Sequence, residues 1–205
     1  VGDISSSSTY KLIMDFINSD AESIASFLSE PVQVEEIYVY MQTNYGTSVT
    51  PFYTTLALWV GGIVLVALMK VKVDYEDDEF KDATEHQKYM GRALLFLAMG
   101  QLQALVVVLG DLYILKIDCT HPFMLWLAAA ITSFVFTLFI YTLVLTFGDL
   151  GKAIAVVMIV LQIAGSGGTY PIELLPEFFQ NVYLYFPFPY AINAMREAIS
   201  GLYQC

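Results

Sequence analysis

LQIAGSGGTYPIELLPEFFQNVYLYFPFPYAINAMREAIS, residues 161–200, decides how the chain is read. It opens as the apolar end of a membrane helix and breaks at Gly165, Gly167 and Gly168. Pro171, Pro176, Pro187 and Pro189 follow, and the stretch closes as a short helix carrying Arg196 and Glu197. A regular helix does not continue cheaply through that glycine cluster, and Pro171 and Pro176 withdraw further amide donors. In hydrocarbon the freed backbone groups need partners, so irregular backbone is tolerated only where protein buries it or water reaches it. Past the break, Leu174, Leu175, Phe178, Phe179, Val182, Tyr183 and Phe186 recur at helical spacing, with Glu173, Glu177, Gln180 and Asn181 opposite. Tyr170, Tyr183, Tyr185 and Tyr190 suit headgroup depth. The pattern predicts a re-entrant or interfacial helical segment over 166–200 rather than a plain loop.

The rest of the chain is what such a segment needs around it. Hydrophobic residues make up 57% of the 205 and charged ones only 14%, an apolar load that a soluble domain of this size rarely carries. Apolar runs of about 20 residues match the hydrocarbon thickness. They predict spans at 51–71, 91–115 and 122–147, and a fourth, shorter helix at 150–165. Residues 73–90 read as a polar loop, residues 116–121 and 148–152 as tight turns, and Asn44, Tyr45 and Gly46 as a turn before the first span. Ahead of it, residues 11–28 carry an amphipathic helical pattern ended by Pro31, and residues 32–40 read as a strand or an extended approach to the membrane. The fold class is therefore an all-α polytopic membrane protein of about four transmembrane helices, with an outer re-entrant segment and a short extracytoplasmic α/β tail at the N-terminus.

Orientation follows from Lys and Arg alone. With the first span running outside to inside, the inner side holds Lys70, Lys72, Lys81, Lys88, Arg92 and Lys152, against Lys11, Lys116 and Arg196 outside. The count puts residues 1–50 and the broken stretch on the extracytoplasmic side. The opening VGDISSSSTY is no signal peptide and lacks an initiator Met; the expectation is a piece of a longer protein.

Charge and motif exclude several functions. The net charge of −11 and the lack of a basic patch argue against nucleic acid. Residues 148–152, GDLGK, lack the spacing of a phosphate-binding loop, so any ATPase is a separate protein. His86, His121, Cys119 and Cys205 show no ligand spacing, and no paired carboxylates or nucleophilic triad stand out. Neither a cofactor nor an enzymatic site is expected.

What remains is a candidate path or gate: Gln101 and Gln103 near mid-bilayer, Gln162 before the break, and Gly165, Gly167, Gly168, Pro171 and Pro176 at it. The glutamines read either as glue between helices or as polar lining, and Gln162 is placed to bond the backbone groups that the break frees. Asp111 lies near the outer end of its span and is expected to be solvated or paired with Lys116. Asp149 and Lys152 form either a capped turn or part of a docking surface for a cytoplasmic partner.

The runs IAGSGGTYPIELLPEFFQNVYLYFPFPYAINAMREAISG and, at the first span, YVYMQTNYGTSVTPFYTTLALWVGG resemble the YhgE/Pip (phage infection protein) family, itself similar to type-2 ABC exporter permeases. The resemblance covers nearly the whole chain; Met41 stands where the family often has proline. It implies that residues 1–50 are the end of a large extracytoplasmic region and that residues 51–205 are a permease-like domain. It also implies an N-terminal span and a last span after residue 200, both missing from the 205 residues. By this likeness the chain is a plasma-membrane protein of a Gram-positive bacterium. It would form a homodimer in the lipid bilayer and transport with a separate cytoplasmic ATPase. The alternative is a cell-surface phage receptor, or a scaffold for type VII secretion components, with no transport of its own.

Overall fold

The computed structural model describes residues 44–72, 84–168 and 172–201. The expected helix at 11–28 and strand at 32–40 lie outside the described residues, as does Pro171. Everything described is helix, turn or loop, with no strand among the described residues.

The elements are α1 (Tyr45–Leu68), α2 (Glu85–Leu109) running on into a π-helical turn (Gly110–Ile114), α3 (Pro122–Phe147), α4 (Asp149–Gly165), a 3₁₀ turn (Ile172–Leu174), α5 (Glu177–Tyr183) and α6 (Pro187–Ser200). Three of them are long and apolar enough to cross a membrane among the described residues: Tyr45–Leu68, Glu85–Ile114 and Pro122–Phe147. At 17 residues, α4 rises about 25 Å, short of a roughly 30 Å hydrocarbon core.

Two helices start earlier than the sequence predicts. α1 begins at Tyr45 because Asn44 caps it, its Oδ1 accepting from the Thr47 amide at 2.8 Å. Asn44 to Gly46 is thus a helix start and not a free turn, and Pro51 lies inside the helix. α2 begins at Glu85, inside the stretch read as a polar loop. Thr84 and Gln87 form a reciprocal capping box there. α3 starts as predicted, with Pro122 in its first turn, where the missing N–H is not needed.

α3 is the central helix. It packs against α1, α2, α4 and α6. The buried stripe of α2, Ala93, Phe96, Gly100, Ala104 and Val108, is mostly small, which lets backbones approach closely. At Gly100 the approach is closest: Ser133 Oγ donates to the Gly100 carbonyl at 2.7 Å, and an added methyl would sit 2.6 Å from Thr137 Oγ1. α3 and α4 form a tight hairpin through Gly148, whose φ of 62° is costly for any other residue. Outside this core the long apolar side chains of α1 to α4 face outward, among them Val60, Leu94, Leu102, Val106, Ile131, Phe134, Val157 and Val160. Such a surface suits lipid and would not suit water.

α6 runs back into this bundle. Its first turn buries Phe188 against Trp59 and Phe136, with ring centroids 5.6 and 5.5 Å away. Both partners lie in the middle stretches of their helices. Met195, two turns on, meets Thr55. At the end of α6 the carbonyls of Ala198 and Ile199 accept from the amides of His121 and Thr120 at 3.1 and 2.9 Å. These are orphan carbonyls of a helix terminus, and the loop between α2 and α3 satisfies them. α6 therefore starts at mid-bundle depth and ends at the same end as Asn44 and that loop. α5, by contrast, has no buried residue; Phe178, Leu184 and Tyr185 are exposed there and just beyond.

Candidate functional site

α4 ends at Gly165, and Gly167 takes a left-handed φ of 63°. Phe179 of α5 lies against Gly165, and Phe52 of α1 against Gly168. A methyl at either glycine would overlap the ring, so both residues act as seats for aromatic side chains. Ser166 is buried and its Oγ accepts from the Gly168 amide at 3.3 Å.

The freed carbonyls here are met by Arg196. Its guanidinium donates to the Gly168 oxygen at 3.1 Å and to the Gly167 oxygen at 3.4 Å. A cation at a helix C-terminus also opposes the partial negative charge of the helix dipole. Gln162, expected to serve these groups, does not. It is fully buried, and neither its Oε1 nor its Nε2 has a partner. The reason is directional: helical side chains lean toward the helix N-terminus, so Gln162 points away from the carbonyls at the end of its own helix. A buried amide without partners is uncommon and costs about 1–3 kcal/mol.

Gln101 and Gln103 lie elsewhere and diverge. Gln101 Nε2 donates to the Ala130 carbonyl of α3 at 3.0 Å, and Gln103 Nε2 to the Ala57 carbonyl of α1 at 3.1 Å. Each ties α2 to a different neighbour, and Gly61 leaves the space that the Gln103 amide fills. Asp149 and Lys152 sit at the opposite end of the bundle as an exposed pair 3.0 Å apart, one turn apart on α4. Pro176 is the N-cap of α5. The structure thus gathers Gln162, Gly165, Gly167 and Gly168 into one locus together with Arg196, and leaves Gln101, Gln103, Asp149 and Lys152 outside it.

Two features escaped the sequence reading. In the sequence Arg196 stands only as one cation in the orientation count. Asp111 had been placed by depth alone, at a solvated interface. It is instead buried, accepting from the Thr54 hydroxyl at 2.6 Å, and makes no ion pair with Lys116. The signal was in its phase: position 111 continues the stripe 93, 96, 100, 104, 108 that α2 buries. Asp111 lies within the π-helical turn, and the positive φ of Lys116 (51°) follows, where the chain turns away.

Among the described residues no group of His, Cys, Asp and Glu could hold a metal ion. The described residues thus hold three apolar spans, a bundle tied by interhelical amides, and a helix broken and recapped near one end. Residues 86–199 match the ABC-2 type transporter family. The chain belongs to that family of membrane permease domains. It is also 30% identical over 185 residues to the uncharacterized protein YhgE of Bacillus subtilis (strain 168), which covers 90% of this chain. The chain spans 23% of the length of that relative. No solved structure matches it significantly. The resemblance to the YhgE/Pip group read from the sequence holds, and with it the assignment to a membrane-embedded permease family.

Proposed function

We propose that the chain is the membrane-spanning part of an exporter that dimerises and draws its energy from a separate ATPase. The observation that carries this reading is α6, which starts at mid-bundle depth and runs back to the Asn44 end, beside a helix broken at Gly165. A helix that stops inside the bundle and a second that starts there make a seam which opens without breaking a continuous span. Gln162, Gly165, Gly167 and Gly168 form the gate of that seam. Gln101 and Gln103 hold the wall behind it. The substrate is hydrophobic or amphipathic, because the seam is walled by Phe52, Phe179 and Phe188. The short α3–α4 hairpin with Asp149 and Lys152 is the docking surface for the ATPase. The excess of lysines at that end supports a cytoplasmic position for it, and the likeness to a Bacillus subtilis protein supports the plasma membrane of a Gram-positive bacterium.

The test is reconstitution in liposomes with the ATPase that co-purifies from native membranes. ATP-dependent movement of an amphipathic fluorophore, lost in Gly167→Leu, is expected. An unrelated membrane anchor that replaces residues 51–205 and preserves phage adsorption or secretion would instead favour the receptor or scaffold reading.

A further inference from the structure

We propose that Gln162 is a built-in opener of the seam: its stranded amide penalises the closed arrangement, and the penalty is lifted when the last turn of α4 unwinds. In what it controls, this bias rests on the gate reading above. Gln162 is fully buried, and neither its Oε1 nor its Nε2 has a partner. Acceptor and donor are both stranded, so the closed state carries the desolvation penalty of a whole amide. An apolar side chain of equal size would fill the same place without it.

Position makes the penalty local. α4 ends at Gly165, so Gln162 stands on its final turn, where carbonyls lack intrahelical donors and helices fray. Ser166 keeps helical backbone angles and Gly167 turns left-handed, a hinge from which the turn unwinds at little steric cost. About one and two turns lower, Ile159 and Ala155 are buried, and the Trp59 indole donates to the Ala155 carbonyl at 3.2 Å. Those turns present apolar side chains to the core and gain nothing by opening. Unwinding from Gly165 back to Gln162 therefore frees the amide and leaves the anchored part of α4 in place. Against it stand Arg196, which holds the Gly167 and Gly168 carbonyls, and the Phe179 and Phe52 rings seated on Gly165 and Gly168. The closed break is thus a balance between a clasp on its far side and a stranded amide on its near side.

Hydrogen exchange of the protein in nanodiscs, wild type against Gln162→Met, tests it. Methionine keeps the length and flexibility of glutamine and removes the amide, so packing is retained while the penalty goes. That penalty corresponds to about fivefold or more in an opening equilibrium. Exchange at residues 163–168 is therefore expected to slow by at least about fivefold, with exchange in α3 unchanged. Gln162→Leu should repeat the slowing with a differently shaped side chain, and Ile159→Met, an apolar swap one turn lower, should slow nothing. Slower exchange on replacing a buried residue is the reverse of what a packing role gives. Unchanged or faster exchange at 163–168, or loss of fold in both Gln162 variants, overturns the proposal by showing that the closed state satisfies the amide. Equal slowing through α3 also overturns it, by placing the penalty on the whole bundle. The measurement needs neither ATPase nor substrate, so the two readings fail separately: slowed exchange with unaltered flux in liposomes would remove the gate and leave the local bias standing.

Discussion

The Arg196 guanidinium and the Gly168 carbonyl, 28 positions apart in the chain, meet at 3.1 Å. One residue lies on the re-entrant helix, the other just past the end of the broken one. Their bond replaces part of what a continuous helix would have provided and ties the two halves of the seam together. Hydrogen bonds with one charged partner contribute about 1.5–3 kcal/mol, enough to decide whether residues 165–168 stay ordered.

Arg196→Gln is therefore expected to raise amide exchange at Ser166, Gly167 and Gly168 by at least about tenfold, following a loss of about 1.5–3 kcal/mol. Exchange in α3 should be unchanged. Hydrogen exchange of the protein in nanodiscs reads both. Uniform acceleration across α3 would mean that Arg196 supports the whole bundle and not the break.

Thr54→Val leaves the buried Asp111 carboxylate without its hydroxyl partner. Single hydrogen bonds between membrane helices couple by about 0.6 kcal/mol and up to about 1.7, but a stranded buried acid costs more. Thr54→Val is expected to lower stability by about 1–3 kcal/mol, and Thr54→Ser by less than half of that. Steric-trap unfolding in bicelles measures the difference. Unchanged stability in Thr54→Val, with a loss in Thr54→Ser, would show that the methyl group matters and the hydroxyl does not.

Much of the fold was legible in the sequence because bilayer thickness and apolar run length constrain each other. The third span needed no revision. The first two start earlier than their apolar runs suggest because Asn44 and Thr84 are caps, and of these only the Thr84–Gln87 box carries a signature in the sequence. The break at Gly165 was visible in composition. Its cap was not, since Arg196 is 28 positions from Gly168 and only the return path of α6 brings them together. Phase, not depth, would have placed Asp111.

Gly100→Leu is expected to destabilise the α2–α3 contact by about 1–3 kcal/mol through overpacking against Ser133 and Thr137. Gly91→Leu, with open space around it, should be silent. Thermal melting in detergent distinguishes them; equal melting temperatures would argue against close α2–α3 packing.

Cys119 sits in the loop between α2 and α3, with its Sγ 3.6 Å from the Ala198 carbonyl. Burial holds its thiol above the ordinary range, with the His121 amide opposing more weakly. The thiolate is thus scarcer than in a free cysteine near pH 8, and alkylation should be slower there and climb at higher pH. A raised folded value also means that the associated stability is full below the unfolded thiol value and is lost as pH rises through the folded one. Maleimide kinetics across pH 7–10, compared with the unfolded chain, checks the sign; faster alkylation in the folded protein would reverse it.

The account turns on the segment after Gly165 dipping into the bundle and leaving it, through α6, at the Asn44 end. In a Cys119→Ser, Cys205→Ser background, single cysteines at Glu173, Lys116 and Asp149 can be labelled from each side of sealed, oriented vesicles with a membrane-impermeant maleimide. Residues 173 and 116 are expected to react from one side and residue 149 from the other. Labelling of 173 from the side of 149 would mean that the broken segment does not return as described, and would contradict the re-entrant arrangement.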